Sequence, residues 1–176
     1  MSRSVPARLL RKLRALVLDV DGVLTDGGMY YGPTGEGLKR FHVKDGLGLR
    51  LIGQAGMDVA LISGENSEIV KRRAEKLRIE HVYVGVEDKL KTLKEYAGAR
   101  RIALDEIAYV GDDLNDLPAL EAVALPIAVA DAAAPVRKVA AWVTSRRGGD
   151  GAVREVCDLL LAARAENPKG TKAQRT

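Results

Sequence analysis

The chain carries Asp19-Val20-Asp21-Gly22-Val23-Leu24-Thr25-Asp26 directly after the apolar run Ala15–Leu18, and this junction constrains its fold more than any other feature. A short apolar run bounded by turn residues reads as a buried, parallel strand. Acids two positions apart project the same way from the end of such a strand. Crowded, buried carboxylates are costly unless a cation or a proton relieves them, so the junction points to a metal site. An EF-hand loop is excluded, because its fifth position would be Val23 and its sixth Leu24. Two other readings stay open on this stretch alone: an Asp-x-Asp of the sugar-nucleotide type, and a structural turn with solvated acids.

At 176 residues, 47% hydrophobic and 30% charged, the chain reads as one domain with a real core, residues 1–165, followed by a polar tail. The tail, 166–176, is expected to be disordered. One cysteine, Cys157, precludes an internal disulfide and falls in the apolar pattern Val153, Val156, Cys157, Leu160. The absence of a membrane-length apolar run and of a signal-type leader predicts a cytoplasmic protein with no membrane partner. Net charge is +4, with basic residues concentrated at the ends: Arg3, Arg8, Arg11, Lys12 and Arg14, then Lys169, Lys172 and Arg175. Without basic residues interleaved with aromatics, these ends read as solvated, and no nucleic-acid partner is expected.

Apolar runs alternate with helical patterns along the rest of the chain. Strands are expected at Ala15–Asp19, Asp58–Ile62, His81–Val84, Ile107–Val110, Leu125–Ala130 and Ala140–Val143. Helices are expected near Gly46–Ala55, Ser67–Leu77, Lys89–Ala97, Asp116–Val123, Ala133–Lys138 and Gly151–Ala165. This alternation predicts an α/β fold, a doubly wound parallel sheet whose ligands bind beyond the carboxyl ends of the strands. Polar clusters follow those ends: Asp19 and Asp21, Ser63, then Asp112 and Asp113. Gly27–Val43 interrupts the pattern and reads as a β-hairpin flap with a glycine-rich tip. Gly148-Gly149-Asp150-Gly151 reads as a mobile hinge into the last helix.

The order of these pieces, Asp19-Val20-Asp21, Ser63, Lys89 and Gly111-Asp112-Asp113-Leu114-Asn115-Asp116, resembles the four motifs of the haloacid dehalogenase superfamily over nearly the whole chain. The resemblance implies a Rossmann-like phosphatase that uses Mg²⁺. It implies Asp19 as nucleophile, Asp21 as general acid and base, and Mg²⁺ held by Asp19, Asp21 and Asp112. Gly22, Ser63 and Lys89 would grip the phosphoryl oxygens. Asp113 would orient ligands from outside, and Asp116 would hold Lys89. The chemistry is coherent, since a phosphate dianion repels an attacking carboxylate unless cations offset the charge.

Only the flap and one helix–strand unit stand where larger members insert caps, so the chain resembles the capless branch. It is similar to the tetrameric 3-deoxy-D-manno-octulosonate 8-phosphate phosphatases through Phe41–Gly46, Tyr109–Asp113, Ala128–Ala132 and Gly148–Glu155. That similarity implies a homotetramer acting on a sugar-acid phosphate in lipopolysaccharide biosynthesis. One departure is Glu65, where that family usually carries Arg. Glu65 resembles the phosphatases of nine-carbon 2-keto-3-deoxy acids, in which a lysine matching Lys76 accompanies it; an acid at a helix start is also favoured by the macrodipole. Arg154 is a further candidate for the substrate carboxylate. Two other classes compete with an enzyme. One is a non-catalytic oligomerisation domain, related to those fused to acylneuraminate cytidylyltransferases. The other is a response-regulator receiver, which would need a phosphoacceptor Asp after the third strand, where His81–Gly85 has none.

Overall fold

The structure, a computed structural model, describes residues 5–165. Its elements run α1 (Ala7–Lys12), β1 (Ala15–Leu18), β2 (Tyr30–Gly32), β3 (Gly35–Leu38), α2 (Val43–Gln54), β4 (Asp58–Ile62), α3 (Glu68–Leu77) and β5 (His81–Tyr83). There follow α4 (Lys89–Arg100), β6 (Ile107–Gly111), α5 (Leu117–Ala122), β7 (Leu125–Ala128), α6 (Ala134–Val139), β8 (Trp142–Val143) and α7 (Ala152–Ala165). All six expected strands and all six expected helices are present, with ends shifted by a few residues.

Six parallel strands form one sheet in the order β5-β4-β1-β6-β7-β8. β1 lies inside it, and Ala15, Leu16, Val17 and Leu18 are fully buried, as a strand covered on both faces requires. Helices α1, α2, α3 and α7 pack together on one side, and α4, α5 and α6 on the other. The chain steps outward from β1 to β4 and β5, then crosses back to β6, so the strand order reverses at β1. Register does the rest. Leu18 pairs with Leu61 and with Val110, so Asp19, Ser63 and Asp112 leave the sheet at nearly the same level. That switch point is where doubly wound sheets bind ligands.

Two details differ from expectation. The basic N-terminal stretch includes the short helix α1, which packs on α7 through buried Leu10 and Leu13; its charged residues masked an amphipathic turn. α4 continues through Gly98 to Arg100 and stops where Arg101 adopts φ 52°, a left-handed cap made without the glycine that usually signals one. The tail 166–176 lies outside the described residues.

The flap is a two-stranded antiparallel hairpin, β2 against β3, closed at its base by a bridge between Thr25 and Phe41. It stands between β1 and α2, and Tyr31 and Leu38 are 64% and 68% exposed.

Candidate active site

Asp19 follows β1 and is 5% exposed; its backbone N–H still donates to Val110 O at 2.9 Å. Burial, and the negative charge of Asp116, push its carboxyl well above the ordinary range, and Lys89 offsets only part of that. Lys89 is the first residue of α4, a poor place for a cation because the helix amino end is itself positive. Two carboxylates make it tolerable: Nζ lies 2.9 Å from Asp19 Oδ1 and 2.7 Å from Asp116 Oδ1. Burial alone would lower the Lys89 pKa, yet Asp19 and Asp116 raise it, so the ammonium stays charged beside the nucleophile candidate.

Asp116 spends its whole carboxylate on this scaffold. Oδ1 accepts from Lys89 and from the Tyr109 hydroxyl at 2.9 Å, and Oδ2 accepts from the Asp112 N–H at 3.0 Å and the Asp113 N–H at 3.4 Å. Burial, then Asp116, holds the Tyr109 hydroxyl protonated, so it remains a donor. Gly111 lets this happen, because a Cβ there would sit 2.6 Å from the Asp116 Cβ.

Asp19, Asp112 and Asp116 each place a carboxylate oxygen within 4.8 Å of the others. With Asp116 fully engaged, Asp19 and Asp112 are left to share a cation. The arrangement fits one: Asp112 Oδ1 is buried without a hydrogen-bond partner, and burial with Asp116 lifts the Asp112 pKa to about 6. Gly22 adopts φ 86°, and a Cβ there would fall 2.0 Å from Asp112 Oδ2. Only a glycine lets the loop and that carboxylate approach so closely.

The remaining motif residues close the pocket. Ser63, after β4, is buried, and its hydroxyl lies 3.5 Å from Asp21 Oδ2 and accepts from the Glu65 N–H at 3.3 Å. Asp21 is partly exposed beside it. The Gly22 N–H donates to Thr25 Oγ1 at 3.2 Å. Asp113 caps the turn after β6 through the Leu114 N–H at 2.7 Å. Asp19, Asp21, Gly22, Ser63, Glu65, Asp112 and Asp113, with Gly27, Met29, Gly64 and Asn115, line a cleft of about 280 Å³. Met29 brings the flap to its wall. Lys76 and Arg154 are not brought there. Lys76 is exposed in the last turn of α3, and Arg154 turns toward Asp158 Oδ1 at 2.7 Å.

The glycine-rich segment before α7 is not the free hinge its composition suggests. Gly148 N–H donates to Asp131 Oδ1 at 2.9 Å, Gly149 N–H donates to Val23 O at 3.0 Å, and both glycines are buried against the turn that carries Asp21. Asp45, from α2, anchors the other end by accepting from the Gly151 and Arg154 N–H groups at 3.2 and 2.7 Å. Three glycines in the four residues between Arg147 and Ala152 carry no pattern that separates flexibility from close packing. Lys39 is a second residue that sequence reasoning missed. It leaves the flap, and its side chain has no exposed surface against Asp21.

Comparison with known proteins identifies the family. Residues 67–156 match the haloacid dehalogenase-like hydrolases. The chain is 47% identical over 154 residues to the 3-deoxy-D-manno-octulosonate 8-phosphate phosphatase of Escherichia coli strain K12, spanning 88% of this chain and 82% of that one. The chain belongs to the haloacid dehalogenase-like hydrolases. Among solved structures of this family it resembles the same phosphatase from Moraxella catarrhalis, in complex with a magnesium ion, a phosphate ion and a KDO molecule. That likeness has a TM-score of 0.88 at 39% identity, covering 91% of this chain and 92% of the other. It also resembles the cobalt-bound deoxy-D-mannose-octulosonate 8-phosphate phosphatase of Haemophilus influenzae, with TM-score 0.87 at 38% identity, covering 94% and 97%. Within the family it stands with the phosphoric monoester hydrolases.

Proposed function

We propose that this haloacid dehalogenase-like hydrolase is a Mg²⁺-dependent phosphatase of 3-deoxy-D-manno-octulosonate 8-phosphate. The single observation that carries the reading is the buried Asp19–Lys89–Asp116 triad beside the unpartnered Asp112 Oδ1. This is a nucleophile, a fixed cation and a metal ligand converging on one cleft. The identity to the curated relatives supports the substrate.

Asp19 attacks phosphorus, forming an aspartyl-phosphate as the ester bond breaks. Asp21 gives its proton to the departing alkoxide and then takes one from the water that hydrolyses the intermediate. Lys89 and Ser63 hold the phosphoryl oxygens, and Asp116 keeps Lys89 in place. Asp19, the backbone carbonyl of Asp21 and Asp112 would hold Mg²⁺, which offsets phosphate charge when bound. Asp113 orients the surrounding ligands.

A second reading, the nine-carbon nonulosonate 9-phosphate, has one observation in its favour: Glu65 lies on the cleft wall, where it would meet hydroxyls rather than a carboxylate. Lys89 is committed to the phosphoryl group, and among the described residues no other cation lines the cleft, so a substrate carboxylate has no partner on the Glu65 wall. The exposed apolar flap supports a homotetramer in which a neighbouring chain supplies one, with Lys76 and Arg154 as the candidates. A phosphate-release screen over both sugar-acid phosphates and simpler sugar phosphates, with Mg²⁺ or with chelator, tests the reading. Release confined to Mg²⁺ and fastest on the eight-carbon acid is the expected result. Chelator-insensitive release, or none on any sugar-acid phosphate, would overturn it.

A further inference from the structure

We infer that Lys39 is a positioning residue for Asp21, so that the root of the flap is part of the catalytic apparatus rather than only its cover. The inference rests on the phosphatase reading above and concerns a residue that reading does not use.

Lys39 follows β3, at the end of a hairpin whose other side chains are largely exposed, yet its own side chain has no exposed surface. A buried ammonium needs acceptors, and Nζ has two. It lies 2.7 Å from Asp21 Oδ1 and 2.6 Å from Glu36 Oε1. Glu36 in turn accepts, on its other oxygen, a hydrogen bond from the Ser67 hydroxyl. Ser67 is 2% exposed and is the N-cap of α3, accepting from the Val70 N–H. The chain Asp21–Lys39–Glu36–Ser67 therefore ties the flap to the turn after β1 and to the helix after β4.

The geometry divides the labour of the two Asp21 oxygens. Oδ1 is held by Lys39, with the Thr25 hydroxyl 3.4 Å away. Oδ2 faces the cleft, 3.5 Å from the Ser63 hydroxyl that would grip the phosphoryl group. A carboxyl group with one oxygen pinned presents the other in a single orientation, which is what proton transfer to a leaving alkoxide requires. In that step the Asp21 proton moves from Oδ2 to the alkoxide oxygen while the phosphorus–oxygen bond breaks and the bond to Asp19 forms. Losing Lys39 leaves Asp21 present but unaimed.

The dependence on leaving group separates this role from a structural one. An alkyl ester needs its leaving oxygen protonated, whereas p-nitrophenolate leaves well without a proton. The value of kcat/KM reports only the steps through alcohol release. For Lys39→Met we expect a loss of about thirtyfold or more on a sugar-acid phosphate and less than about threefold on p-nitrophenyl phosphate, equivalent to a differential of about 1.4 kcal/mol or more. Lys39→Arg should recover most of the loss. Glu36→Gln, which leaves Lys39 its contact with Asp21, should show a smaller loss with the same preference; it provides the comparison if Lys39→Met folds poorly. Equal losses on both esters, or no loss on either, would overturn the proposal. Asp21→Asn is the reference. If it discriminates between the esters and the Lys39 and Glu36 variants do not, only this proposal fails. If Asp21→Asn does not discriminate either, the acid role of Asp21 fails and the proposal falls with it.

Discussion

Gly148 packs so closely on Gly22 that a Cβ at Gly148 would stand 1.7 Å from the Gly22 carbonyl oxygen. The segment before the last helix thus supports, from behind, the turn carrying Asp21 and the backbone proposed to hold the metal. Gly148→Ala should therefore displace that turn. We expect a destabilisation of about 2–4 kcal/mol and a fall of more than about tenfold in kcat/KM, read by thermal melting and steady-state kinetics. A mobile hinge would tolerate the methyl group with little change in either.

The assignment of Asp19 as nucleophile leads to a sharper outcome. Asp19→Asn keeps the size and part of the contact with Lys89 but cannot form the acyl phosphate. Turnover should drop by about a thousandfold or more, some 4 kcal/mol of barrier, with an unchanged circular dichroism spectrum. Activity above about a tenth of wild type would remove Asp19 from that role.

Stability should respond to Mg²⁺ in a pH-dependent way. The folded Asp112 carboxyl titrates at about 6 because of burial and the neighbouring Asp116, whereas an unfolded Asp titrates near ~3.9. The folded chain without metal holds that proton more tightly, so this contribution is complete below the unfolded pKa and is lost as pH rises through about 6. Asp19, also raised by burial and by Asp116, acts in the same direction. A divalent cation competes with those protons and restores the loss. Mg²⁺ should raise Tm by about 3 °C or more near pH 7.5 and by almost nothing near pH 4.5. Asp112→Asn should abolish the difference between the two conditions.

Assembly follows from the flap. Met29, Tyr30, Tyr31 and Leu38 are 44–68% exposed on one hairpin, an arrangement that favours association. Light scattering should return a mass near four times 18.9 kDa, and Tyr31→Lys with Leu38→Lys should lower it. A monomer at high micromolar concentration would contradict the tetramer.

Specificity provides the last test. Lys76 and Arg154 lie off the cleft of their own chain, so under the proposed tetramer any contact with a bound sugar acid would come from a neighbouring copy. Lys76→Ala or Arg154→Ala should cost about 1.5–3 kcal/mol in kcat/KM on a 2-keto-3-deoxy sugar-acid phosphate and little on a small ester without a carboxylate. Equal losses on both would assign these residues to folding or assembly.

The parallel sheet and the four motifs were legible in the sequence because both rest on local patterns. Buried strands need uninterrupted apolar runs such as Ala15–Leu18, and strand ends must carry the polar residues that a switch point collects. Family motifs pointed to Asp19, Ser63, Lys89 and Asp112; the shared register of β1, β4 and β6 brought Asp19, Ser63 and Asp112 together, and the start of α4 added Lys89. What tertiary structure alone decided lies where local chemistry is ambiguous. Nothing in Gly35–Lys39 distinguishes an exposed lysine from one buried between Asp21 and Glu36, because burial there depends on α3 presenting Ser67 from thirty residues away. The glycines at 148 and 149 serve tight packing rather than motion for a similar reason: the turn after β1 occupies the space a side chain would need. Local propensity reports what a segment can adopt; which of its groups are enclosed is set by residues distant in sequence, through the volume and charge they place alongside it.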